Sequence, residues 1–164
     1  MRLRNIAGML ALVLLPLSVW GQQNDGIEVV TTSEVEVRQQ NAKGATEVKR
    51  VEAAKAKVAP GDVVIFSTRY VNRGKQAATS VFITNPVPEH MLYVDKSAEG
   101  KGTRIEYSID GGKTYAPSET LKIADKQGKV RTALPGDYTH IRWTATAPLA
   151  PGAAGNVSFR ARVK

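Results

Sequence analysis

Apolar residues recur at every second position in short runs along this chain, and each run ends at Pro, Gly, Asn or Asp. Side chains on a strand alternate between its two faces, so such runs build half-buried strands. Several of them at short spacing build an all-β sandwich or barrel. From Ile27, IEVVTTSEVEVRQQ sets Val35 and Val37 between Glu34, Glu36 and Arg38, which predicts one wet and one buried face. In APGD, Pro60 fixes φ and Gly61 admits a positive φ, a turn that launches VVIFSTRYVN with Val64, Phe66, Thr68 and Tyr70 on one face. Asn72 and Gly74 close that strand in a turn.

Downstream, Val81 and Ile83 share a face until Asn85-Pro86 and Pro88 stop the ladder, because Pro lacks the N–H of a central strand. TRIEYSIDGGKTYA predicts a hairpin: Ile105, Tyr107 and Ile109 lead to the Asp110-Gly111-Gly112 turn, and Tyr115 opens the return strand. A second hairpin is expected around Gln127-Gly128. The last two strands put Ile141, Trp143 and Ala145 on one face, and Val157, Phe159, Ala161 and Val163 on another. Trp143, in phase with Ile141, is expected in the core. Only residues 45–59, ATEVKRVEAAKAKVA, send a competing signal. Their Val spacing and Ala, Lys and Glu content suit a helix with Thr46 as N-cap, but the surrounding strands argue for an extended segment, which is the reading adopted.

The opening MRLRNIAGMLALVLLPLSVWGQQ has a basic start at Arg2 and Arg4, an apolar stretch from Ile6 to Val19, and Val19-Trp20-Gly21 before a polar run. This is the layout of a secretory signal peptide. The apolar stretch falls short of the about 20 residues a spanning helix needs. The expected organisation is a signal peptide at 1–21 and a single domain at 22–164, exported to the periplasm or secreted. Export makes nucleic acid a poor partner for the formal net charge of +8; an anionic envelope polymer or lipid surface suits it better, but the preferred reading is solubility alone, since like charges form no long run.

The pattern KVAPGDVVIFSTRYVNRG, then ATSVFITNPVPEHMLYV, and the closing LAPGAAGNVSFRARV resemble the Ig-like family known as domain of unknown function eleven. The elements that carry the resemblance are Pro60-Gly61-Asp62, Phe66 to Tyr70, Asn72 and Gly74, Val81 to Pro88, and Pro151-Gly152. It covers residues 58–164. Asn85 stands where that family more usually has Asp, and is expected to cap the turn in its place. The DGGKTYA hairpin, DYTHIRWTATAPLAPG and the N-terminal signal are similar to small stand-alone exported members from Gram-negative bacteria. The resemblance implies an Ig-like Greek-key β-sandwich of about seven to nine strands, placed in envelope or surface proteins, with no enzymatic activity and no settled ligand.

Chemistry-bearing patterns are few. The chain has no Cys, which excludes disulfides, thiolate metal sites and a cysteine nucleophile. Ser108-x-Asp110-x-Gly112-x-Thr114-Tyr115 resembles the Asp-box of sialidase propellers, a turn device remote from catalysis, and predicts a stabilised hairpin. His90 and His140, with Glu89 and Asp137 near them in sequence, are too few and too scattered for the three or four ligands of a metal site. No serine stands in G-x-S-x-G, and no phosphate-binding loop or dinucleotide fingerprint is present. The expectation is no enzyme, no cofactor and no metal. One candidate ligand surface remains, an exposed basic stripe of Arg142, Arg160, Arg162 and Lys164. Its partner would be an anionic cell-wall or surface polysaccharide. The leading expectation is instead a structural or protein-binding module of the envelope, since outward charges also guard edge strands.

Overall fold

The computed structural model describes residues 26–40, 44–125 and 127–164; the expected signal peptide lies outside them. Among the described residues the alternating runs form eleven strands: β1 (Ile27–Gln40), β2 (Thr46–Glu52), β3 (Val63–Asn72), β4 (Phe82–Pro86), β5 (Met91–Tyr93), β6 (Glu99–Gly100), β7 (Thr103–Ser108), β8 (Lys122–Ala124), β9 (Val130–Thr132), β10 (His140–Ala145) and β11 (Ala154–Val163). The larger sheet runs β2-β1-β3-β11-β5, with β6 also on β11, and the smaller runs β4-β10-β7. β8 and β9 form a separate ribbon. All strand pairs are antiparallel. The chain is an all-β sandwich whose strands switch between the two sheets.

The expected faces are the observed ones. Trp143 and Ile141 from the smaller sheet, and Phe159, Val157 and Ala161 from the larger, are 1 % exposed or less. The Trp143 and Phe159 rings lie 6.2 Å apart, and Phe66 stacks on Phe159 at 4.9 Å. Tyr93, Tyr107 and Tyr138 cluster beside them, with the Tyr107 ring 4.6 Å from that of Tyr138. Burial and the hydroxyl of Tyr93 push the Tyr107 hydroxyl far above its ordinary pKa. Close packing also dictates two small residues. A Cβ on Gly155 would lie 2.2 Å from the Tyr70 ring, and one on Gly100 would lie 2.8 Å from Trp143.

Residues 45–59 are extended over β2, whose pairing with β1 overrides the helical propensity, and then make a short 3-10 turn at Ala53–Lys55. Two other expectations change. Tyr115 does not open a return strand: the chain makes a single bridge, Tyr107 to Ala116, before Pro117 and a 3-10 turn end it. Asn85 does not cap its turn. Its Nδ2 instead donates across the sandwich to Thr68 Oγ1 at 2.9 Å, because alternation points it inward beside Ile83 and Ile141.

Asn72, fully buried, explains how β3 ends. Its Nδ2 donates to the carbonyls of Gln76 and Leu149, both at 2.8 Å, and its Oδ1 accepts the Gly74 N–H. One side chain thus ties the turn after β3 to the loop before β11.

Candidate functional site

The four basic residues of the expected stripe do not come together. Arg160 and Arg162 alternate with the buried Phe159 and Ala161, so they point outward from the larger sheet, with Lys164 following in phase. Arg142 alternates with Ile141 and Trp143 and points outward from the smaller sheet. The shared core therefore separates it from the other three. Sequence alternation gives the face of a residue within its own strand, not the sheet to which that strand belongs.

Each of the four is also engaged by its own chain. Arg142 donates to Glu106 at 3.0 Å and lies 4.2 Å from the centroid of the Tyr115 ring, and its Nε is buried without a partner. Glu106 is itself buried, with Arg104 at 3.5 Å as its second cation. A carboxylate removed from water needs such compensation, so Arg142 serves the sheet. Arg160 faces Glu36 at 3.8 Å, Arg162 donates to the Gly61 carbonyl at 2.8 Å, and Lys164 donates to the Glu89 carbonyl at 2.7 Å.

The Asp-box-like segment is a turn device in its geometry. Asp110 Oδ1 accepts the Ser108 hydroxyl at 2.7 Å and the N–H groups of Lys113 and Thr114, and Oδ2 accepts the Thr114 hydroxyl at 2.6 Å. The Ser108 and Thr114 hydroxyls and these N–H groups hold the Asp110 carboxyl well below the usual carboxylate range. Gly111 and Gly112 take φ of 77° and 83°, and Tyr115 is carried onto Arg142. Both carboxylate oxygens are thereby committed to the turn. His140 sits on the face opposite Ile141 as expected, with Nδ1 3.2 Å from the Thr139 hydroxyl. Among the described residues no group of three or more His, Cys, Asp and Glu side chains could hold a metal ion, and no helix is long and apolar enough to cross a membrane.

A feature the sequence reading missed lies at the edge of the larger sheet. β1 pairs with β3 over 27–35 and with β2 over 34–40. Residues 36–40 and 46–50 therefore form a two-stranded arm that runs past the start of β3. Over 27–33 no strand lies on the other side of β1 among the described residues. The same holds for the far side of β2. Val29, Val30 and Val48 are exposed along these edges, Val48 at 60 %. A groove of about 590 Å³ opens at the root of the arm, lined by Val35, Val37, Val48, Lys57, Val63 and Arg162 among others. The one available signal was length: β1 has 14 residues, against about 5–6 for an average strand.

Comparisons with known protein families, with curated proteins and with solved structures return no match. The likeness to domain of unknown function eleven therefore rests on the residues quoted for it.

Proposed function

We propose that the chain is an exported, non-enzymatic structural or protein-binding module of the bacterial cell envelope, periplasmic or secreted, with an Ig-like sandwich as its scaffold. The observation that carries this reading is the arm. An isolated two-stranded ribbon is marginal in water, and long open edges with apolar side chains are usually blunted. The opposite border of the larger sheet is blunted in this way, ending in β5 and β6, of three and two residues. The border at β1 and β2 keeps its length and its exposed valines. An extended segment of an envelope protein added along either open edge would gain main-chain hydrogen bonds and cover Val29 and Val30 on β1, or Val48 on β2.

The alternative, an anionic cell-wall or surface polysaccharide bound through the basic strand face, has less support. Arg142 lies on the other outer face, and Arg160, Arg162 and Lys164 already meet Glu36 and two carbonyls. Affinity capture from envelope extract at low and high salt separates the two readings. A discrete protein retained at high salt, and lost with the Val30→Lys and Val48→Lys substitutions, supports edge docking. Salt-sensitive retention of wall polymer that ignores both substitutions supports the polymer.

A further inference from the structure

The outer face of the larger sheet carries a second concavity, a trough of about 240 Å³. We infer that this trough is a binding site for a single neutral sugar unit. Its floor is Ile65, Ser67 and Ser158, outward-facing residues of adjacent β3 and β11. One wall is the segment that enters β6, with Glu99 opposite Ser158. Asn156 and Arg160 stand along β11, and Arg50 closes the side toward β2.

The wall is a built feature. Val94 donates its N–H to the Arg160 carbonyl, and the Ser97 hydroxyl donates to the Val94 carbonyl at 2.6 Å and accepts the Arg160 N–H at 3.0 Å. Lys96 holds a φ of 56° to make the bend. By contrast, the hydroxyls of Ser67 and Ser158 and the carboxamide of Asn156 make no hydrogen bond with the described residues. The trough thus offers hydroxyls that both donate and accept, a carboxylate that accepts, an amide that does each, and guanidinium donors. Adjacent hydroxyls on a ring require that mixture.

Charge and size narrow the ligand further. Arg50 and Arg160 share Glu36, at 3.4 and 3.8 Å, and Glu99 stands at the far wall, so two cations face two carboxylates. A polyanion gains nothing from that balance. The volume is below the about 300–1,000 Å³ of sites that enclose a drug-sized ligand, which suits one ring and not an extended chain. This inference does not rest on edge docking at the arm, although Arg50, which closes one side of the trough, and its partner Glu36 both belong to the arm.

The test is amide NMR of the purified protein titrated separately with glucose, N-acetylglucosamine and glucuronate. The expected result is saturable shifts at Ser67, Glu99, Asn156 and Ser158 with at least one neutral sugar. Binding should weaken by about tenfold or more in Asn156→Ala, at an exposed position, and in Ser158→Leu, which fills the trough. No saturable shift with any of the three sugars would overturn the inference, as would shifts unchanged in Asn156→Ala. Binding of glucuronate alone, abolished by salt, would also overturn it and leave only attraction to the guanidinium groups.

Discussion

Asn85 on β4 and Thr68 on β3 join the two sheets by a 2.9 Å hydrogen bond inside the sandwich, and Thr31 on β1 lies 3.0 Å from the same Thr68 hydroxyl. Thr68 is fully buried, so its hydroxyl has no recourse to water. Thr68→Val leaves Asn85 without its acceptor and is expected to cost about 1–3 kcal/mol. Adding Asn85→Leu removes the stranded amide as well. The double variant should therefore lose less than the sum of the singles, with a coupling of about 0.5–3 kcal/mol in denaturant unfolding.

Gly155 faces Tyr70 at a distance no side chain can share. Gly155→Ala is expected to destabilise by about 1–3 kcal/mol through overpacking. In a Tyr70→Leu background the same change should cost less, because the ring that the Cβ meets is gone. Thermal unfolding of the four proteins checks this.

Asn72 satisfies three main-chain groups from a fully buried position. Asn72→Ala leaves the Gly74 N–H and the Gln76 carbonyl without this partner, while the Leu149 carbonyl keeps the Ala78 N–H, and is expected to cost about 3 kcal/mol. Asn72→Asp should not rescue it, since a carboxylate cannot donate to the Gln76 and Leu149 carbonyls. Equilibrium unfolding in urea reads both.

The depressed Asp110 pKa makes a signed prediction. A carboxyl whose folded pKa lies below its unfolded value of about 3.9 contributes stability that is fully present above that value. Below that value the contribution declines, and it is gone once the pH has fallen through the folded pKa. In a carboxyl-carbon NMR titration, Asp110 should remain ionised where ordinary carboxylates have already taken up their protons. Ser108→Ala and Thr114→Val, which remove its hydroxyl donors, should each move its titration back toward the ordinary range.

Period-two alternation made the sandwich legible: Val64, Phe66, Ile141, Trp143, Val157 and Phe159 all lie on the faces it assigns. It failed where a single residue or a long-range pairing decides. Pro117 cut the strand expected after Tyr115 to one bridge. The β1 ladder overruled helical spacing at Val48 and Val51. Asn85 faces inward because it is in phase with Ile83 and opposite Ile141, whereas local turn chemistry suggests a cap. The surfaces were the least legible part. Strand phase alone groups Arg142 with Arg160, because it carries no information about which sheet a strand joins. The trough draws on residues 50, 65–67, 97–99 and 156–160, which only the fold brings together.

The most direct test of the proposed role is site-specific photocrosslinking in intact cells, with a photoreactive residue at position 48 on the arm or at position 130 on the β8–β9 ribbon. Both valines are exposed, at 60 % and 64 %, so accessibility alone does not distinguish them. Edge docking predicts a discrete adduct with one envelope protein from position 48 and none from position 130. No adduct from position 48, or the same adducts from both positions, would contradict it.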